Sequence, residues 1–197
     1  MQHDGNISAA IHAPTSGKIL KISEEVLPHP SGLPDFCIII EPDFKDTWIE
    51  KKPIAWKKLD KTQLIESLSQ SGIVGLGGAV FPSHMKLKTN QNQTINTLVI
   101  NAAECEPFIT CDDMLMRERA DEIIQGSLIA QTILGAEKCV VGIEDNKIEA
   151  YEALKKAAQK TLVEIKVVPT LYPSGDAKRL IFLLMGIEVP KEKRSVD

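Results

Sequence analysis

From Thr62 to Gly186 the apolar residues switch between two periods, and the switching predicts alternating helices and strands. Thr62 is placed to N-cap a first helix running to Gln70, with Leu64, Ile65 and Leu68 on one face. Thr97-Leu98-Val99-Ile100-Asn101 is a short continuous apolar run, the kind buried in a parallel sheet. From Asp112 to Leu134 the residues Met116, Ile123, Ile124, Leu128, Ile129 and Ile133 follow a helical period that breaks once near Arg119; Gly135 ends it. Lys138–Ile143 is a second buried strand, Lys147–Thr161 a charged, alanine-rich helix with Ile148, Tyr151, Leu154 and Ala158 on one face, and Glu164–Val168 a third strand. Lys178–Met185 reads as an apolar helix stopped by Gly186. Strand–helix alternation of this kind predicts an α/β fold with a parallel sheet covered on both faces.

The first forty-odd residues have a different pattern. Ile7, Ala9 and Ile11 alternate with smaller or polar residues, and two further strands are expected at Lys18–Ile22 and Phe36–Glu41. Between them Pro28-His29-Pro30-Ser31-Gly32-Leu33-Pro34 is a loop, because its three prolines fix φ and remove donors. Three short strands bury little surface, so residues 1–45 are expected to be part of a small β domain. Residues 46–61 hold both tryptophans, Trp48 and Trp56, read as packing anchors in a linker to an α/β domain over 62–197.

Composition narrows the function classes. The chain has 197 residues, 43% apolar and 25% charged, which suits a globular protein. Its net charge of −4 argues against a nucleic-acid surface, and no apolar run is long enough to span a bilayer. Cys37, Cys105, Cys111 and Cys139 include no C-x-x-C pair, so neither a zinc ribbon nor a ferredoxin-type cluster is expected on this chain.

Candidate chemistry concentrates in four loops. Gly75-Leu76-Gly77-Gly78-Ala79-Val80-Phe81-Pro82 crowds glycines ahead of Ser83, His84 and Lys86. Such a turn either presents backbone N–H groups to an anion, with Lys86 as a point charge, or simply ends a helix. It is neither a G-x-G-x-x-G fingerprint nor a Walker A loop. The other three loops follow the strands, where open α/β sheets bind ligands. They carry Asn101-Ala102-Ala103-Glu104-Cys105-Glu106-Pro107, then Glu144-Asp145-Asn146-Lys147, then Tyr172-Pro173-Ser174-Gly175-Asp176. Glu144, Asp145 and Asn146 could equally N-cap the next helix, as could Ser174 or Asp176, while Asp112 and Asp113 suit a helix start. Glu104 and Glu106, set beside Pro107, could bind a metal or accept hydrogen bonds from a nucleotide.

These motifs together carry a resemblance. Gly72–Ala79 with Phe81-Pro82 and Lys86-Leu87, Ile100–Pro107, Gly142–Lys147 and Tyr172–Gly175 resemble the RnfC subunit of the Rnf-type ion-translocating electron transport complex. His12–Gly17 and Pro28–Leu33 are similar to that family's β domain. The resemblance implies a Rossmann-like FMN/NADH-binding domain, akin to the flavin subunit of respiratory complex I, preceded by a partial barrel-sandwich-like segment. It implies FMN and NADH as cofactors, with Gly75, Gly77, Gly78 and Lys86 as the phosphate cradle. Asn101, Glu104 and Glu106 would form the flavin edge, and Glu144, Asp145, Asn146 and Gly175 the remaining wall. Partners would be the other subunits of the membrane complex, with this one held peripherally on the cytoplasmic side of the inner membrane.

Two departures qualify that picture. The family has glycine where this chain has Val80, and a glycine after Ser174-Gly175 that is often replaced, here by Asp176. If that loop is left-handed, a β-branched residue there is strained, and the expectation is that Val80 weakens flavin binding. The family also extends further in both directions, into a domain with two 4Fe-4S clusters, so this sequence reads as a fragment. Two functions stay open: a flavin/NADH module passing electrons toward clusters elsewhere, or a shortened scaffold that no longer binds cofactor.

Overall fold

The computed structural model describes residues 7–76, 79–88 and 94–194. Its centre is a three-stranded parallel sheet of order β3-β4-β5, with β3 at Thr97–Ala102, β4 at Lys138–Glu144 and β5 at Val163–Val168. Register runs from Thr97 opposite Lys138 to Ala102 opposite Ile143, and from Cys139 opposite Val163 to Glu144 opposite Val168. The middle strand is buried from Cys139 onward because helices cover both of its faces.

Alternation along β4 decides which helix packs where. Cys139, Val141 and Ile143 join Met116, Ile124, Ala150 and Leu154 in one core, under α3 (Cys111–Glu118), α4 (Ala120–Leu134) and α5 (Ile148–Ala158). Val140 faces the opposite core with Leu180 and Leu184 of α6 (Ala177–Met185). Gly142 shares that face: a Cβ there would lie 2.8–2.9 Å from the methyls of Leu184 and Leu180, so the missing side chain is what lets α6 approach. The two crossovers β3-α4-β4 and β4-α5-β5 step in one direction across the sheet. Right-handed connections then put both helices on one face, and only the next helix, α6, reaches the other.

Helix termini differ from expectation in instructive ways. The first helix, α1 (Lys61–Gln70), is capped by Asp60 rather than Thr62: Asp60 accepts from the Gln63 amide at 2.9 Å and Gln63 returns a bond to the Asp60 amide. That reciprocal capping box outcompetes a threonine two residues on. The period break at Arg119 is a true break, since α3 ends and α4 begins around it. Arg117 fastens α3 to α5 by binding Asp113 and, at 2.6 Å, Glu149. Asp176 caps α6, bonding the amides of Lys178 and Arg179. Lys147, not Glu144, Asp145 or Asn146, occupies the cap position of α5.

Among its described residues the N-terminal region holds two strands, where the sequence pattern predicts three. β1 (Gly17–Val26) and β2 (Pro34–Pro42) form an antiparallel hairpin. Ile7–Ile11 pairs in no ladder; the chain instead rests on the end of α1, where His12 Nε2 lies 2.8 Å from the Ser71 carbonyl. Ile19, Leu20, Ile22 and Phe36 are exposed, as a lone hairpin with no covering layer requires. Trp48 does not anchor a core either: it is 76% exposed, with Lys51 Nζ 4.1 Å from its ring centroid.

Candidate functional site

The parallel sheet delivers its strand ends to one side, and the loops there are stitched together by contacts distant in sequence. Asn101, near the end of β3, donates from Nδ2 to the Gly175 carbonyl at 2.8 Å and accepts from the Ala103 amide at 3.1 Å. The Gly175 amide donates to Cys105 Sγ at 3.3 Å. A Cβ on Gly175 would sit 2.6 Å from the Ala103 carbonyl oxygen and 3.1 Å from Cys105 Sγ, so this crossing tolerates only glycine. Asp145 accepts from both the amide and the hydroxyl of Thr170, joining the β4 and β5 loops. Those hydroxyl and amide contacts hold its carboxyl below the usual carboxylate range. The Asn146 amide bonds the Thr170 hydroxyl oxygen at 3.3 Å.

Glu104 is held by donors of its own chain. Its side chain is 1% exposed and its carboxylate accepts from the amides of Asp112 (2.8 Å) and Asp113 (3.2 Å), capping α3 from outside the helix. Lys147 Nζ, 12% exposed, completes the set at 3.2 Å. Burial pushes this carboxyl up, but the Asp112 amide, Lys147 and the Asp113 amide together outweigh it and hold it below its ordinary value. Ligand atoms of Glu104, Cys111 and Asp112 lie within 4.8 Å of one another. With two amides and an ammonium already on Glu104, that grouping reads as the cap of α3. Glu106 is exposed. Asp112 is raised by burial and by the nearby charges of Glu104 and Glu106.

Glu144 is the anomaly. It ends β4 at 1% exposure, and neither carboxylate oxygen has a hydrogen-bond partner among the described residues. Burial, above all, raises its pKa; Asp145, Glu104 and Glu106 add to that and Lys147 opposes it.

The glycine loop forms a second cluster. Val74 and Pro82 pair in an isolated bridge, and the Gly75 amide bonds the Phe81 carbonyl at 3.0 Å. Lys86, on the short helix α2 (Ser83–Leu87), places Nζ 3.2 Å from where a Gly75 Cβ would stand. Gly77 and Gly78 lie outside the described residues. Val80 adopts φ 50° and is 60% exposed, so it stands in the left-handed region and does not fill a core. Sequence reasoning singled out Gly75, Lys86, Asn101, Glu144 and Gly175 but missed Lys147, Thr170 and Cys105 as the residues that tie the loops. The adjacency of Lys147 to Glu144-Asp145-Asn146 was the available signal.

With this geometry in view, residues 68–197 match the family model of the Nuo51 FMN-binding domain, and residues 1–45 that of the RnfC barrel sandwich hybrid domain. The chain belongs to the Nuo51 FMN-binding family. It is 52% identical over 194 residues to the RnfC subunit of the ion-translocating oxidoreductase complex of Haemophilus influenzae, covering 98% of this chain and 24% of that protein. It is 49% identical over 189 residues to the corresponding subunit of Erwinia tasmaniensis, covering 95% of this chain and 23% of that protein. This chain thus spans about a quarter of the length of these relatives. Among solved structures, an NAD+-reducing NiFe hydrogenase in its H2-reduced state shares the fold, with TM-score 0.54 and 23% identity over 64% of this chain and 24% of that one. The air-oxidised state of an NAD+-reducing NiFe hydrogenase gives TM-score 0.55 at 24% identity, over the same shares of each chain. The family's flavin suits the residues present: a lysine ammonium against a glycine turn for a phosphate, a backbone crossing open only to glycine, and one buried carboxyl wanting a partner. Among the described residues no helix is long and apolar enough to cross a membrane.

Proposed function

We propose that this chain is the FMN-binding module of an RnfC-type subunit in an ion-translocating electron transport complex, receiving reducing equivalents from NADH. Bound FMN would supply the two-electron to one-electron conversion that passes electrons on to iron–sulfur clusters carried outside this chain. The chain's own residues bind and orient. Lys86 and the Gly75 turn hold the phosphate by charge and backbone approach. Asn101, locked to Gly175, fixes the β3 loop against the β5 loop, and Lys147 holds Glu104 so that the loop after β3 is tied to the loop after β4. Asp145 and Thr170 brace the third wall, with Asn146 beside them, and the exposed Glu106 is left to face the ligand. Partner subunits hold the module at the cytoplasmic face of the membrane.

The observation that carries this reading is Lys86 Nζ set against Gly75 within the segment that matches the FMN-binding family. Titrating the full chain with FMN and with riboflavin, which lacks the phosphate, tests it. The wild type should bind FMN more tightly than riboflavin. Lys86→Ala should erase that preference, more so at low salt, where an exposed charge contact is least screened. Equal binding of both flavins by wild type and variant would reject the phosphate cradle. No binding of either by the wild type would instead favour the scaffold reading.

A further inference from the structure

Glu144 is a buried carboxyl whose two oxygens have no hydrogen-bond partner among the described residues, and the polar side chains at the three strand-end loops are engaged with one another. Asn101 is spent on Gly175 and Ala103, and Lys147 binds Glu104. Asp145 binds Thr170, and the Ser174 hydroxyl donates to carbonyls of its own loop. Buried polar atoms in folded proteins are paired almost without exception, so the partner of Glu144 has to come from outside this set. Period-two alternation puts Glu144 on the Gly142 face of β4, at the carboxyl end of the central strand, where parallel sheets bind ligands.

Resting on the flavin-binding reading, we propose that Glu144 recognises an amide edge, O=C–N–H, of the bound ligand through a paired donor and acceptor. An un-ionised carboxyl carries a hydroxyl donor beside a carbonyl acceptor, the complement of that edge. The setting favours that form: burial leads, the charges of Asp145, Glu104 and Glu106 assist, and Lys147 is the opposing cation. Two candidate ligands carry such an edge, namely the imide of the flavin ring and the carboxamide of nicotinamide. A leucine here would spare the fold an unpaired buried polar group, so the acid brings the fold no benefit without its ligand.

The test titrates the full-length chain, as wild type, Glu144→Gln and Glu144→Leu, with FMN, N3-methyl-FMN, NADH and reduced 3-acetylpyridine adenine dinucleotide, and melts each variant. Glutamine keeps a donor beside an acceptor, so Glu144→Gln should bind within about threefold of wild type. Glu144→Leu should lose about tenfold, the equivalent of one to two hydrogen bonds, while melting at or above the wild-type temperature. Loss of affinity on N3-methylation assigns the flavin edge; loss with the acetyl analogue assigns the nicotinamide. Wild-type affinity in Glu144→Leu, equal loss in both variants, or analogues binding as well as their parents would each overturn the assignment. If Glu144→Leu does not fold, the analogues with wild type and Glu144→Gln decide. A wild type that binds neither FMN nor NADH overturns both this inference and the flavin reading; a wild type that binds while the variants and analogues change nothing overturns this inference alone.

Discussion

Replacing Val80 with glycine is expected to raise stability and leave flavin affinity where it is. Val80 sits at φ 50°, and a β-branched residue held there carries strain of about 1–3 kcal/mol. Glycine relieves that strain but adds unfolded-state freedom worth about 0.4–1 kcal/mol. The side chain is 60% exposed, so the part shielded from water contributes only about 0.6 kcal/mol of a valine's roughly 1.5. The central balance is a gain of about 0.7 kcal/mol, or about 2 °C in melting temperature for a chain of this size. Val80→Ala is the control, since it sheds the methyls yet keeps the Cβ that makes the left-handed conformation costly, and it should melt below wild type.

The strain sits in the folded chain, so its cost is expected to fall on folding, while the sequence-based expectation that Val80 weakens flavin affinity is the competing outcome of the same experiment. Thermal melts of the three proteins and FMN titrations by fluorescence quenching measure both quantities. If Val80→Ala melts above Val80→Gly, the strain account is wrong. If Val80→Gly binds FMN ten times more tightly, the cost of the strain falls on binding and the assignment to folding is wrong.

Lys147→Met should destabilise by about 3–5 kcal/mol, because it leaves the Glu104 carboxylate buried beside no cation; the double variant with Glu104→Gln should recover part of the loss in denaturant unfolding. Gly175→Ala should cost about 1–3 kcal/mol, read as a lower melting temperature, since its Cβ would meet the Ala103 carbonyl at 2.6 Å and a backbone atom cannot step aside cheaply. The pH dependence should show opposite signatures on either side of about pH 4.5, the ordinary glutamate value. Glu104, depressed in the fold, contributes stability that is present above that pH and lost as pH falls through its folded value, so Glu104→Gln should flatten the acid limb of the stability profile. Glu144, raised in the fold by burial, leaves stability intact below that pH and costs it as pH climbs through the folded value and the carboxyl ionises, so Glu144→Gln should flatten the decline on that side.

The local grammar of this chain was legible in its residues alone. The continuous run at Lys138–Ile143 marked a buried strand and the strand–helix alternation implied the parallel sheet, whereas Asp112–Leu134 read as one helix with a break near Arg119 where the structure has two. Each of these rests on neighbours within a few residues, which is the range over which periodicity and capping act. The capping box at Asp60 was missed in favour of Thr62, although its signal is local, since Asp60 and Gln63 are three residues apart. Everything else depended on contacts between distant parts of the chain. Glu104 meets Lys147 across 43 residues, and Asn101 meets the Gly175 carbonyl across 74, so no spacing rule announces either. Whether an acidic residue after a strand caps a helix, pairs with a lysine or stays alone depends on what packs over it. Glu104 does the first two together, Asp145 bonds a neighbouring loop, and Glu144 is left without a partner among the described residues. The hairpin is the converse case: Ile7–Ile11 alternates like a strand, yet a period of two supplies only a face and names no ladder partner, and the ladder that forms is β1 with β2.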